Sequence, residues 1–183
     1  MKFCRPGFNL YLVALVLVGV VCGCKTEKSK AKKISAFLRM HEEVQPNPAG
    51  RSETVVVHHA PEIKMTIDKE AFLTSSMVKE AKVVDVVGGF ALQLEFNRRG
   101  SWLLEQYTLS GRGRHIAIFC QFMKEGEEKL NEGRWLAAPR VSNIITNGQM
   151  TFTPDATRAE ADQIVKGLNN VAKQLETGNQ WDF

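Results

Sequence analysis

Beyond its first 24 residues the sequence has one cysteine, Cys120, and no second apolar run long enough to enter a membrane. A lone thiol in an apolar segment argues against a disulfide framework and is typical of a small buried side chain. The missing second run excludes a multi-span membrane protein. The net charge of +4 is small and lies partly in one lysine-rich segment, so it does not indicate a nucleic-acid partner.

Motifs of catalytic or metal sites are also missing. His58 and His59 are adjacent, and neighbouring side chains of a strand point to opposite faces, so they cannot share one metal ion. Residues 41–43 lack the second histidine of a zinc-protease helix, and residues 111–113 lack the lysine of a phosphate loop. The acidic loop 123–133 lacks the alternating ligands of a calcium loop, and its role stays open. We expect no enzyme activity, no cofactor and no metal.

The first 23 residues are organised like a secretory signal. Lys2 and Arg5 precede an apolar run at residues 10–21, whose length of about a dozen residues is typical of a signal and short of the roughly 20 that span a bilayer. The run ends at Val21-Cys22-Gly23-Cys24, which resembles the bacterial lipobox, with an aliphatic residue three positions before the cysteine and a small one immediately before it. We therefore predict a lipoprotein signal peptide at residues 1–23 and lipidation of Cys24.

Cys22 fits the lipobox less well, because the β-branched Val21 precedes it. A plain signal peptide and an uncleaved helical anchor are the alternatives to lipidation. Residues 24–33 form a lysine-rich stretch without apolar periodicity, which predicts a solvated spacer that can also touch acidic lipid headgroups. The expected location is the cell envelope, on the periplasmic or outer side of a membrane, with the lipid on Cys24 as the anchor.

Residues 34–80 are predicted to be a region of strands. The spacing in residues 35–44 suits either a helix or a strand, but turn residues at 46–50 and a β-branched run at 54–57 favour two strands joined by a loop. Ile63, Met65 and Ile67 then alternate with polar residues, as in a half-buried strand.

The second half of the chain alternates strands with two helices. Residues 82–87 and 90–96 predict a hairpin around Gly88-Gly89. A short helix follows, with Trp102, Leu103, Gln106 and Tyr107 on its apolar side and a left-handed glycine cap at Gly111. We further predict a strand at 115–122, a second hairpin at Asn147-Gly148, and a final helix that begins at a Thr157/Glu160 capping box, carries apolar residues from Ala161 to Leu175 and ends before Gly178.

These elements predict an α+β fold in which an antiparallel sheet carries two helices packed on one face, followed by a tail at 177–183. Residues 81–176 resemble the periplasmic head subdomain of SecD, also called the SecDF head domain. The matching positions, in the family's order, are Ala81, Gly88-Gly89 with the strand at 90–96, Gly100, Thr108, Gly111, Gly113, Ile116-Ala117-Ile118, Ala138-Pro139, Ile145, Gly148, Phe152, Ala161 and Leu168.

The resemblance implies a head-like domain of a bacterial envelope protein that contacts exported or partner polypeptides. It does not imply proton-driven work, because SecD proteins perform that work in a multi-span membrane domain. The leading hypothesis is a membrane-anchored, non-catalytic interaction module, accessory to protein export or to the binding of exported polypeptides. The alternative is a structural or assembly lipoprotein that pairs an exposed strand edge with one fixed protein partner. The sequence alone does not identify the partner-binding residues.

Overall fold

The computed structural model describes residues 35–47, 50–57, 61–123 and 129–178; the predicted signal peptide, Cys24, the spacer and the tail at 179–183 lie outside these ranges. The elements in chain order are β1 (Ala36–Glu42), β2 (Ser52–Val57), β3 (Ile63–Asp68), β4 (Leu73–Thr74), a 3₁₀ turn (Ser75–Met77), β5 (Val78–Val86), β6 (Gly89–Phe96), α1 (Arg98–Ser110), β7 (Ile116–Phe122), β8 (Arg134–Ala137), β9 (Gln149–Phe152) and α2 (Arg158–Gly178). This composition confirms the predicted α+β class.

The strands form three antiparallel sheets. Their orders are β4-β1-β7-β8, β5-β6-β9 and β2-β3. Strand β1 pairs with β7 along its whole length, from Ala36 opposite Phe122 to Glu42 opposite Ile116. The prediction that residues 35–44 favour a strand over a helix is therefore confirmed, with alternate residues Ala36, Leu38 and Met40 fully buried.

One core joins the two regions that the sequence analysis separated at residue 81. Side chains of β1 and β7 pack with those of β5, β6 and β9 and with both helices in this main core. The proposed boundary itself falls inside β5. Helix α2 lies against the start of β1, where a Cβ atom on Gly167 would be 2.7 Å from the backbone nitrogen of Ala36.

A second, smaller cluster forms where the β2-β3 hairpin folds over the four-stranded sheet. Val55, Val57, Met65 and Ile67 of the hairpin pack there with Ala117 and Ala138, and Trp135 lies against them. The hairpin is also linked to the segment that follows β1, because the amide of Val44 donates a hydrogen bond to the carbonyl of Thr66 at 2.9 Å. It therefore covers part of the sheet face opposite the main core.

Helix α2 begins at the predicted capping box. The amide of Thr157 donates to Glu160 Oε2 at 3.0 Å, and the amide of Glu160 donates to Thr157 Oγ1 at 3.3 Å. The buried face comprises Ala161, Ile164, Leu168 and Ala172, whereas Leu175 is 42% exposed. The buried stripe is thus shorter than the predicted one, and the helix runs to Gly178 instead of ending before it.

Two predictions for α1 are wrong. Its buried residues are Gly100, Leu104 and Thr108, while Trp102 is 59% exposed. The reason is close packing, since a Cβ atom on Gly100 would lie 3.0 Å from the Cβ atoms of Phe96 and Met77. Nor does Gly111 form a left-handed cap, because its φ is −92°; its amide donates to the carbonyl of Tyr107 at 2.8 Å.

The predicted hairpin at Asn147-Gly148 is also wrong. Residues 144–146 are not a strand, and β9 pairs with β6. The amide of Ile145 donates instead to Thr108 Oγ1 at 3.0 Å, so α1 holds the segment that would have paired with β9. Gly148 has a φ of +67°, and a Cβ atom there would be 2.2 Å from Ser101 Oγ. The dipeptide therefore makes a turn that is fastened to α1.

Candidate functional site

The face of the four-stranded sheet that lies away from the main core is only partly covered. Side chains alternate between the two faces of a strand, so Phe37, Arg39 and His41 of β1 share this face with Ala117 and Phe119 of β7. The β2-β3 hairpin covers one end, where His41 Nδ1 donates to the carbonyl of Asp68 at 2.9 Å and Ala117 is buried. At the other end Phe37 stays 43% exposed.

Four side chains form a continuous surface at this open end, and we call Phe37, Arg39, Phe119 and Trp135 the aromatic strip. Arg39 and Phe119 are cross-strand neighbours, and the guanidinium carbon lies 5.1 Å from the centre of the ring. The rings of Phe119 and Trp135 meet edge to face with centroids 5.2 Å apart. Arg39 is exposed, and Phe119 and Trp135 are half-buried.

Contacts on two sides fix the positions of Trp135 and Phe119 in the strip. The ring of Trp135 makes a second edge-on contact, 5.6 Å between centroids, with His41 under the hairpin. On the opposite side the backbone passes close to Phe119 at Gly133, whose φ is +85° and where a Cβ atom would be 2.5 Å from Phe119 Cζ. Only glycine allows this approach, so the backbone at Gly133 lies directly against the ring of Phe119.

The strip presents apolar rings with one cation among them. Arg39 has a cation–π contact with Phe119 but no ion pair among the residues that the structure describes. The arrangement contains no general acid, general base or nucleophile. Its chemistry is that of a shallow platform on which apolar side chains can pack, because half-exposed aromatic rings lose water readily to such contacts.

Two other groups that could be reactive, the Cys120 thiol and the Glu43–His115 pair, have structural surroundings. Burial raises the pKa of Cys120 to about 12, against an opposing effect of Arg134, so the thiol is not a nucleophile. Glu43 Oε2 accepts hydrogen bonds from the amide of His115 at 2.7 Å and from its Nδ1 at 2.8 Å, which ties the end of β1 to the start of β7.

Neither a metal site nor a membrane span occurs in the described ranges. No group of three potential metal ligands lies together there, and neither helix is long and apolar enough to cross a membrane. Cys24, the site residue predicted from the sequence, lies outside the ranges that the structure describes.

The sequence did not reveal the aromatic strip. Strand β7 is apolar along nearly its whole length, so Phe119 could not be distinguished from the buried residues on either side of it. Trp135 belonged to an apolar segment without a clear period. The one available signal was the alternation of Phe37, Arg39 and His41, which places an aromatic and a cation on the same face of β1.

Comparisons with known proteins all point to one group. Residues 52–172 match the family model described as "SecDF, P1 head subdomain". A solved structure of SecDF, described as a membrane component that enhances protein export, is 18% identical over 92% of this chain and 71% of that chain, with a TM-score of 0.52. No curated protein sequence gives a significant match.

Two longer SecDF structures are matched over about a third of their length. SecDF in a super-membrane-facing form is 14% identical, with 88% of this chain and 33% of that chain covered and a TM-score of 0.45. SecDF from Thermus thermophilus, described as a translocon-associated membrane protein, is 15% identical. The match covers 90% of this chain and 34% of that chain, with a TM-score of 0.40. At these identities the likeness concerns the fold.

Proposed function

The chain belongs to the SecDF P1 head subdomain family, and we propose that it is a membrane-anchored, non-catalytic module of the cell envelope that assists protein export by binding exported polypeptides. The resemblance noted at residues 81–176 is thereby confirmed, and the family match begins earlier, at residue 52. This membership is the observation that carries the proposal. The solved SecDF of the same fold is described as enhancing protein export, and we extend that role to this chain.

The proposed anchor is a lipid on Cys24, followed by the lysine-rich spacer. A spacer of about ten residues reaches on the order of 30 Å when fully extended. It would lead directly into β1, so the folded domain would stay close to the membrane surface. A module held there would meet polypeptides as they emerge from an export channel.

The proposed binding surface is the aromatic strip, and its proposed occupant is an extended apolar segment of a polypeptide that has not yet folded. Unfolded chains expose apolar side chains in many sequences, which favours a shallow surface over a deep and selective pocket. Phe37, Phe119 and Trp135 supply the apolar contact area. Arg39 supplies hydrogen-bond donors for the carbonyl groups of a passing backbone.

Site-directed photo-crosslinking tests this function. A photoreactive phenylalanine analogue is placed at position 37 and, as a control, at the exposed position Lys173 on α2, in cells that accumulate an arrested secretory precursor. We expect adducts with the precursor from position 37 and few from position 173. Equal adducts from both positions, or none from position 37, would contradict binding at the strip.

The same experiment distinguishes the alternative function. A structural lipoprotein with one fixed partner would give a single stoichiometric adduct whether or not secretory precursors accumulate. A module that handles exported polypeptides would give adducts with several precursors, and their yield would rise when export is blocked.

A further inference from the structure

Strand β9 has an outer edge that no other described strand covers. The amide of Phe96 donates to the carbonyl of Gly148 at 3.0 Å, so residues 148, 150 and 152 direct their backbone groups toward β6. Because backbone groups alternate in direction along a strand, the amides and carbonyls of Gln149 and Thr151 point away from the sheet. Asn147 Oδ1 accepts the amide of Gln149 at 3.1 Å, whereas within the described residues the amide and carbonyl of Thr151 have no partner.

A cavity of about 280 Å³ elsewhere on the surface is lined mostly by polar side chains. The cavity beside Thr151 differs in having an apolar floor. It measures about 230 Å³ and lies between β9 and residues 139–145. The buried side chains of Ile116, Val141 and Met150 line it. Sites for drug-sized ligands are larger, about 300–1,000 Å³, so this volume suits a single aliphatic side chain.

The rim of the cavity is cationic. Arg140 lines it and donates from Nε to the carbonyl of Gly113 at 2.9 Å, and Arg112 donates from Nε to the carbonyl of Ser142, another lining residue, at 3.4 Å. Both guanidinium groups are exposed and make no ion pair with the described residues, and the described residues that line the cavity include no carboxylate. The charge beside the cavity therefore complements a carboxylate.

We propose that the β9 edge and this cavity bind an extended acidic segment of a partner protein by strand addition. The segment pairs with the amide and carbonyl of Thr151, places an aliphatic side chain in the cavity and sets the side-chain carboxylate of an aspartate or glutamate on Arg140 and Arg112. Main-chain hydrogen bonds provide affinity in this mode, and the pocket and charges provide specificity. The site belongs to a different sheet from the aromatic strip and does not depend on the binding of exported polypeptides there.

Fluorescence anisotropy with the full-length protein in detergent tests the proposal. The probe is a fluorescent seven-residue peptide, blocked at both ends, with leucine at its centre, glutamate two positions to either side on the same face of the strand, and serine elsewhere; matched probes carry glutamine for glutamate or serine for leucine. We expect the leucine-glutamate probe to bind about tenfold or more tightly than either matched probe, because each lacks one of the two recognised groups.

Substitutions in the protein supply the second arm. Arg112→Gln with Arg140→Gln should weaken binding about tenfold, while Arg98→Gln with Arg99→Gln, which removes the same charge from the start of α1, should leave it unchanged. Thr151→Pro removes the outward-pointing amide of residue 151, and proline is tolerated at such a position on an edge strand. The substitution should abolish peptide binding, whereas Thr151→Ala should retain it.

Three outcomes would overturn the proposal. They are equal affinity for the glutamate and glutamine probes, equal affinity for the leucine and serine probes, and equal loss in the two arginine double variants. The four arginines are exposed, so their substitution should leave the fold intact. The comparison of the two arginine double variants therefore remains decisive even if Thr151→Pro lowers the melting temperature.

Discussion

The side chain of Asn169 replaces a neighbouring strand at Ala81. The amide of Ala81 donates to Asn169 Oδ1 at 2.8 Å, and Asn169 Nδ2 donates to the carbonyl of Ala81 at 2.9 Å. Both backbone groups point outward from β5, so a single residue of α2 satisfies the strand edge at this point and fixes the helix against it.

Asn169→Leu should lower the free energy of unfolding by about 2 kcal/mol, because it leaves two partly buried backbone groups without partners while keeping a side chain of similar size. The measurement is urea denaturation of the purified protein. Lys173→Leu on the exposed side of the same helix is the control and should change stability by less than about 0.5 kcal/mol. Equal effects of the two substitutions would show that the Asn169 contacts contribute nothing.

Leu168→Ala should destabilise the domain by about 2–5 kcal/mol, since Leu168 is fully buried in the main core and its loss leaves a cavity. Lys166→Ala, two residues earlier on the exposed side, should have little effect. Thermal melts monitored by circular dichroism measure both. Equally mild effects would contradict the packing of α2 on the sheets.

Stability should fall as the pH is lowered, partly because of Glu43. Burial acts to raise its pKa, but the hydrogen bonds from His115 outweigh burial, and the pKa lies below its ordinary value of 4.5. A lowered pKa in the folded state gives stability that is present above about pH 4.5 and is lost as the pH falls through the folded-state pKa. Glu43→Gln should flatten this dependence in urea denaturation series between about pH 5 and pH 3.

Glu42 provides a test of opposite sign. Burial raises its pKa, although Arg114 opposes the shift, so protonation of Glu42 favours the folded state. Glu42→Gln should therefore steepen the loss of stability in acid. If both variants shift the pH dependence in the same direction, the local environments do not control these carboxyl groups as the structure indicates.

Cys120 should not react with thiol reagents in the folded protein. The side chain is fully buried, and its pKa of about 12 leaves almost no thiolate at pH 8. Ellman's reagent should detect this thiol only after denaturant is added. Stoichiometric modification under native conditions would mean that β7 opens readily to solvent.

Cys24→Ala should abolish incorporation of radiolabelled fatty acid, whereas Cys22→Ala should leave it intact. The reason is that Gly23 immediately before Cys24 suits the lipobox and Val21 before Cys22 does not. Labelling of the expressed precursor in bacterial cells measures the difference. Persistent labelling of the Cys24→Ala protein would remove the proposed anchor.

Local patterns predicted the elements whose contacts are close in sequence. The hairpin at Gly88-Gly89 and the alternating strand Ile63–Asp68 were both predicted from their own residues. The wrong predictions concern elements that depend on contacts distant in sequence. The amide of Ile145 donates to Thr108 Oγ1, 37 positions away, and this hydrogen bond prevents the second predicted hairpin. The aromatic strip could not be predicted from the sequence either, because the exposure of Phe119 depends on how far the β2-β3 hairpin extends over the sheet.

The position of β1 determines when this domain can fold. The strand nearest the N-terminus in the described ranges pairs with residues 116–122 and is closed off by α2 at Gly167. A polypeptide that crosses a membrane with its N-terminus first thus lacks the partners of β1 until β7 and α2 have emerged. Such long-range pairing gives a high contact order and slow folding. Under the proposed export of this chain, the protein should therefore remain extended while it crosses the membrane and become a compact domain only after release.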